Sequence, residues 1–345
     1  MKIGIVQTSV GSVGGNDTVL RIVIDTLKAD GHDVILYTFS NPGKNFDDVK
    51  TYSKIPIRLP FLGIYKKFMM PKFDYNCDVV FSITGYTGIE TDKKLIVYDQ
   101  NNLGLELLDS YIPPKYKSGI WKYYYKPYRF LAKRQKPNPN ATYIANSVYS
   151  ASSLSQAVNK KVDVINPPVT ISKYHKSEKK KKVAMLCRIS PEKNLEFAID
   201  ALNKIRYPVT IIGAVTPMTM PYFNKLQDKC ASHVIISPNI SRQNLEHILS
   251  ESKVFFHSAI ETFGISVIEG IASGCIPIVP DNSAHPETVP YGQLRYVPDN
   301  IDDAVSHIND AMDGKFDDTL DNLYQHITKF DTSTFKDEIS RVVKP

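Results

Sequence analysis

The sequence predicts an α/β protein of two successive domains, each a doubly wound parallel sheet flanked by helices. Three observations predict it. Apolar runs rich in Val and Ile alternate with segments of helical period, as in parallel sheets. Around 163–182 the alternation stops at "DVINPPV" and the charged stretch "SKYHKSEKKKK", then restarts. The 345 residues are also enough chain for two sizeable cores.

In the first half, "KIGIVQTSV" reads as a strand and "VLRIVIDTLKAD" as a helix closed by Gly31. Strands follow at "DVILYTF", "DVVFSI", "KLIVYDQ" and "ATYIANS". After the linker, strands are expected at "KVAMLCRI", "PVTIIGA", "HVIIS", "KVFFHS" and "CIPIVP". Helices between them are expected at "PEKNLEFAIDALNKI", "MPYFNKLQDKC", "SRQNLEHILSES" and the segment through Glu269. The expected domains are therefore 1–166 and 167–330, with a helix at about 331–345 packing back on the first. Ligands of open α/β sheets bind at the carboxyl ends of the strands, here expected to face one central cleft.

Composition is that of a soluble globular protein, 42% hydrophobic and 23% charged. Met1-Lys2 runs directly into "IGIVQTSV", so no leader is expected. No run approaches the roughly 20 apolar residues of a membrane span. Cys77, Cys187, Cys230 and Cys275 are scattered without metal-ligand spacing, so free thiols in a reducing cytoplasm are expected. The net charge of +6 is uneven. Between Lys115 and Lys136, eight Lys/Arg and seven aromatics stand without an acidic residue. Two readings stay open: a solvated basic helix whose aromatics face the core, or a surface for anionic lipid headgroups. "IYKKFMMPKF" (64–73) would extend it. Nucleic acid is not expected as a partner, because the rest of the chain reads as an enzyme.

Three stretches carry candidate chemistry. "GSVGGND" (11–17) joins the first strand to the first helix, where glycines admit a ligand to backbone amides. Its spacing is neither G-x-G-x-x-G nor a P-loop. A plain turn with Asn16 or Asp17 as N-cap fits equally. "CRISPEKN" (187–194) holds the same place in the second half. Ser190 would cap, Pro191 would open the helix, and Arg188 and Lys193 would hold an anion at its N-terminus. "ETFGISVIEG" (261–270) places Glu261 after a strand and Glu269 among Ile265, Ile268, Ile271 and Ala272 at helical spacing. A carboxylate on that face needs a specific partner, either a ligand's hydroxyls or a neighbouring cation.

Together these stretches resemble the retaining GT-B glycosyltransferases of the glycogen-synthase-like, mannosyltransferase-rich group (family 4). "ETFGISVIEG" is similar to its E-x7-E signature and "CRISPEKN" to its diphosphate clamp, while "GCIPIVPDNSAHPETV" resembles the strand and loop that follow. "YYYKPYRFLAKR" and "VINPPVTISKY" resemble the branch that adds α-1,2-mannose to a dolichol-linked oligosaccharide. The resemblance implies that Arg188 and Lys193 hold the donor diphosphate and Glu269 the ribose. It implies that Glu261 meets the donor sugar beside the amides of Phe263, Gly264 and Ile265. Gly14 and Gly15 would lie near the diphosphate and acceptor, and Ser237–Ile240, with Asn239 and Ile240, near the base. Two positions depart from the family. Its active-site histidine is absent after "KLIVYDQNN", leaving Asp99, Gln100 or His285 as replacements. Its loop glycines are Ser283-Ala284-His285 here.

The implied activity is front-face transfer of a hexose, mannose first, from a nucleoside-diphosphate sugar to a glycan or lipid-linked acceptor. GDP-mannose is the expected donor and UDP-sugars the next. No D-x-D pair ends a strand, so neither metal nor cofactor is expected. The expected location is the cytoplasm, peripheral to a membrane's inner face through residues 115–136. A two-domain NAD oxidoreductase is the rival enzyme, but its fingerprint is missing, as is an acidic residue closing "ILYTFSN". A phosphorylase-like GT-B enzyme using phosphate is another. A non-catalytic basic membrane- or nucleic-acid-binding protein would leave Glu269 and the clamp unexplained.

Overall fold

The structure, a computed structural model, describes residues 1–8, 10, 15–39, 46–53, 64–65, 68, 73–85, 88–100, 119–134 and 136–344. The chain forms two compact units, Met1–Pro168 with Ser333–Pro345, and Val169–Thr332.

In the first unit seven strands form one parallel sheet: β1 (Lys2–Gln7), β2 (Asp33–Thr38), β3 (Lys50–Ser53), β4 (Val79–Ser82), β5 (Lys94–Asp99), β6 (Thr142–Ala145) and β7 (Asp163–Val164). Their order is β3-β2-β1-β4-β5-β6-β7. Both faces are covered, so β1, β4 and β5 are almost continuously buried instead of alternating. Side chains still alternate between two cores. Ile3 and Ile5 pack with Val19, Val23 and Leu27 of α1 (Gly15–Ala29). Phe335, Ile339 and Val343 of the final helix (Thr332–Val343) join that core. Val6, Ile35 and Val80 face the other way, toward Ala151, Leu154 and Val158. Between β5 and β6 runs α2 (Gly119–Arg134), and β6 leads to α3 (Val148–Val158), capped where the Ser150 amide donates to Ser147 Oγ at 3.0 Å. α1 starts at Gly15, so Asn16 and Asp17 lie inside its first turn and neither is the N-cap. Gly14, residues 115–118 and most of 64–73 fall outside the described residues.

The second unit is a six-stranded parallel sheet of β8 (Lys180–Leu186), β9 (Val209–Gly213), β10 (Val234–Pro238), β11 (Ser252–Phe256), β12 (Ile276–Pro280) and β13 (Arg295–Tyr296). Its order is β10-β9-β8-β11-β12-β13. Its helices are α4 (Leu195–Leu202), α5 (Met220–Gln227), α6 (Arg242–Glu251), α7 (Ile265–Ala272), α8 (His285–Thr288), α9 (Ile301–Met312) and α10 (Leu320–Ile327). The helix expected from Pro191 is broken. Pro191–Lys193 is a 3-10 turn and Asn194 then takes φ 51°, so α4 begins only at Leu195. Asn tolerates this left-handed conformation better than most side chains. Ser190 starts that turn but makes no side-chain cap bond.

The lysine run is not wholly solvated. Lys179 Nζ donates to the carbonyls of Leu249 (3.2 Å), Ser250 (2.7 Å) and Ser273 (2.6 Å), closing the carboxyl ends of α6 and α7. A cation is favoured there, where carbonyls lack helical partners. α7 lies tight on β11: a Cβ on Gly270 would sit 2.5 Å from Phe255 Cγ and 2.9 Å from its Cβ. Gly270→Ala is therefore expected to lower the melting temperature, costing about 1–3 kcal/mol by overpacking, despite alanine's better helix propensity. An unchanged or raised melting temperature would mean that α7 moves off the sheet freely.

Candidate functional site

β11 runs out of the sheet at Phe256, and His257–Ile260 carry the chain past its carboxyl end to Glu261. Glu261 is tied down at its backbone. Its N–H donates to Ser283 Oγ at 3.2 Å, and its carbonyl accepts from Ala284 at 3.2 Å. Its carboxylate meets Lys193 Nζ at 2.5 Å, with both side chains less than a fifth exposed. The turn at Pro191–Lys193 aims the lysine, and Ser258 Oγ donates to the Lys193 carbonyl at 2.9 Å.

Two buried histidines stand behind this pair. His257 Nδ1 accepts from the Ala259 amide at 3.2 Å, which puts the ring's proton on Nε2. Nε2 lies 3.1 Å from Glu261 Oε1, off the hydrogen-bond axis. His285 Nε2 is 3.0 Å from the Ala259 carbonyl and must carry the proton, leaving Nδ1 a buried acceptor without a partner. The rings are 5.2 Å apart. Burial alone would raise the Glu261 pKa, but Lys193 and His257 outweigh it and hold the carboxyl well below the usual range. Burial, helped by His257, pulls His285 down to about 4, so it is neutral near pH 7. Cys187, at the end of β8, is pushed up to about 12 by burial and stays a thiol.

Glu269, on α7, has partners of its own. Its Oε1 accepts from Arg242 Nη1 at 3.2 Å and from the Tyr174 hydroxyl. Arg242 Nη2 also donates to that hydroxyl, its guanidinium stands 5.0 Å over the Tyr174 ring, and Nε reaches Glu246 at 2.7 Å. Burial and the adjacent Glu269 carboxylate raise the Tyr174 pKa, so the phenol keeps its proton. Both partners use Oε1, so the other carboxylate oxygen is the one open to a ligand. Gly264 caps α7 at φ 95° and has no side chain to cover the first amides.

The other sequence-derived residues are placed variously. Arg188 is exposed, 3.4 Å from Glu192 Oε1, so only Lys193 of the two clamp cations turns to Glu261. Asn239 takes φ 53°, and its side-chain amide bonds the Val215 N–H (3.0 Å) and carbonyl (3.1 Å), so only its backbone and Ile240 can meet a ligand. Phe263 packs edge-on to Phe330 at 5.0 Å. Ile265 is the first residue of α7. In the first unit, Asp99 is wholly buried at the end of β5. A Cβ on Gly85 (φ +66°) would lie 2.4 Å from its Oδ1. Gln100 follows it, with a buried side-chain nitrogen that lacks a partner. Gly15 opens α1. Among the described residues no group of three or more His, Cys, Asp or Glu is placed to hold a metal ion. His257, Tyr174 and Arg242 were not singled out from the sequence; they lie 4, 95 and 27 positions from their carboxylate partners, and only the first spacing is local.

Residues 169–330 match the family model described as glycosyl transferases group 1. Among similar solved structures, Anabaena HepE in complex with UDP and glucose is 17% identical, with 99% of each chain covered and a TM-score of 0.75. WaaG, a glycosyltransferase involved in lipopolysaccharide biosynthesis, is 11% identical, with 99% of each chain covered and a TM-score of 0.76. The Drosophila melanogaster tRNA-queuosine alpha-mannosyltransferase is 27% identical over 109 residues, 30% of this chain and 29% of that relative's length. The fold is that of the GT-B glycosyltransferases, two parallel-sheet α/β domains. The match to glycosyl transferases group 1 spans nearly the whole of the second unit.

His285 gives the site a pH signature. Its imidazole is neutral in the fold, whereas the unfolded chain protonates it near its usual value of about 6.5. Between about 4 and 6.5 the unfolded state binds more protons, so stability falls as pH falls through that window. The full loss is on the order of 3 kcal/mol. Glu261 adds to the loss at the lower end of that window, where the unfolded carboxyl takes up a proton near its usual value of about 4.3 and the paired carboxyl in the fold does not. His285→Asn should start with a lower melting temperature at pH 7 and show a flatter decline toward pH 5. Parallel wild-type and variant curves would remove His285 as the cause.

Proposed function

We propose that this chain is a retaining glycosyltransferase. It moves a hexose, mannose first, from a nucleoside-diphosphate sugar to a glycan or lipid-linked acceptor at an anionic membrane surface, without a metal. The observation that carries this is the Lys193–Glu261 pair at the carboxyl end of the sheet in the unit matched to group 1. Lys193 has three N–H donors and gives one to Glu261, so others are free for a diphosphate, with Arg188 at the rim. Glu261, fixed as an anion, accepts hydroxyls of the donor sugar. In the front-face reaction the bond from the anomeric carbon to the diphosphate breaks, and the acceptor oxygen bonds that carbon on the same side. The acceptor's proton passes to the departing diphosphate. Stabilising that developing charge is the work of Lys193, Arg188 and the N-terminus of α7.

Glu269, anchored through Oε1, offers its other oxygen to the ribose hydroxyls. Asn239 and Ile240 lie beside the base. Gly14, Gly15, Asp99 and Gln100 are assigned to the acceptor side. Mannose and an α-linkage are supported by the name of the tRNA-queuosine relative. UDP donors are the next choice, since HepE was solved with UDP.

Thermal shifts with GDP, UDP, ADP and NAD, each with and without EDTA, test the donor. Ligand at 100 times its dissociation constant adds about 2.7 kcal/mol. The expected result is a shift with one nucleoside diphosphate that survives EDTA and is lost in Glu269→Ala. A shift with NAD alone, or none, overturns the reading. Anomeric NMR of the product decides retention.

The anchoring of Glu269 gives a second test. Wild type should prefer a ribonucleoside diphosphate to its 2′-deoxy form, and Tyr174→Phe should narrow that preference by about tenfold through a raised KM with little change in kcat. An unchanged preference would mean that Tyr174 does not orient the carboxylate.

A further inference from the structure

α2 has three faces, not two. At about 100° per residue, Tyr125, Tyr128 and Ala132 fall together; they are buried and pack with Ile64, Tyr65 and Phe68. Opposite them, where a solvated helix carries polar residues, stand Ile120, Tyr123, Phe130 and Leu131 on either side of Pro127. Ile120 is 78% exposed, Tyr123 76% and Phe130 58%. Lys122, Lys126 and Arg129 flank this outer stripe on one side. Arg134 lies 4.6 Å over the Phe130 ring, at the stripe's end.

We infer that the outer stripe of α2 is an insertion element for an anionic phospholipid surface. Ile120, Tyr123, Phe130 and Leu131 enter the boundary between headgroups and acyl chains, while Lys122, Lys126 and Arg129 meet lipid phosphates. The inference rests on the membrane-surface acceptor proposed above and assigns the contact to particular side chains. Charge complementarity selects this occupant: the stretch 115–136 contains no acidic residue. Tyrosine beside aliphatic residues, with long basic side chains at the margin, suits that boundary. A nucleic acid would use the aromatics for stacking and the cations for phosphates, but would give Ile120 and Leu131 nothing to do. Among the described residues no helix is long and apolar enough to cross a membrane, so α2 lies along the surface.

The test uses the full chain with phosphatidylcholine vesicles, with and without phosphatidylserine, in flotation assays. Phosphatidylserine should capture the protein. Replacing Lys122, Lys126 and Arg129 with Gln should weaken capture about fivefold per charge at low salt. Phe130→Ser with Leu131→Ser should abolish the capture that persists at high salt. Trp121 is the only tryptophan, so Phe130→Trp in a Trp121→Phe background reports insertion. Its emission should shift to the blue on phosphatidylserine vesicles and be quenched by brominated lipid. Capture that vanishes entirely with salt, with no emission shift, overturns insertion, as does wild type that ignores both vesicles. Transfer RNA that competes the protein off vesicles without altering the emission of vesicle-free protein leaves insertion supported, whereas an emission shift on transfer RNA alone overturns it in favour of a nucleic-acid surface. All these side chains belong to α2, in the first unit, away from the Lys193–Glu261 pair and Glu269 of the second, so the nucleotide-induced thermal shift should be unchanged in every variant. Failure of vesicle capture with that shift intact sinks only the insertion, whereas loss of the shift in wild type sinks the donor reading.

Discussion

Taking the Glu261 carboxylate out of water costs several kcal/mol unless a cation follows it in, and the second unit's carboxyl edge is organised around meeting that demand. Lys193 reaches the carboxylate because the chain leaves β8 through a 3-10 turn instead of entering a helix directly, and Asn194 takes the left-handed conformation that ends the turn. Ser283, also left-handed at φ 54°, brings its hydroxyl under the Glu261 amide. The Ala259 segment then sets both histidine tautomers, donating its N–H to His257 and lending its carbonyl to His285. A charge at His285 would be buried beside Lys193, which is one reason the ring is neutral. The ion pair, two left-handed backbone positions and two histidine tautomers thus form one interdependent arrangement.

Glu269 repeats the problem with a different answer. Its counter-charge comes from Arg242 on α6, relayed partly through the phenol of Tyr174. This joins α6, α7 and the segment after Pro168 near one carboxylate, while Lys179 joins the carboxyl ends of the same two helices through their carbonyls. α7 is therefore held through its carboxyl half as well as against β11, and the carboxylate presented from that half has little freedom to wander.

The α/β alternation was legible because each parallel strand is a Val- and Ile-rich run buried on both faces, as in "KIGIV" and "PVTII". What periodicity missed was local backbone choice. Asn194 looks like any polar residue inside "PEKNLEFAIDALNKI", yet its left-handed φ divides that segment. Glu261, Lys193 and Glu269 stood out as charges beside glycine, proline or apolar neighbours. Tyr174 and Arg242 did not, since a contact across 95 residues leaves no periodic trace. The basic aromatic stretch was visible as composition only. Its aromatics could be sorted into Tyr125 and Tyr128 inside, Tyr123 and Phe130 outside, only once the core had claimed one face.

The final helix has a consequence for how the protein is made. Phe335, Ile339 and Val343 belong to the core built on β1 and α1, although more than 300 residues separate them from those elements. A ribosome that has finished the second unit has supplied every strand of the first sheet, but not these three side chains. Domains emerging in order generally fold in that order. Here the amino-terminal sheet is synthesised with one apolar face incompletely covered until residues 335–343 follow. For that interval the apolar residues that Phe335, Ile339 and Val343 cover in the folded unit lack those partners.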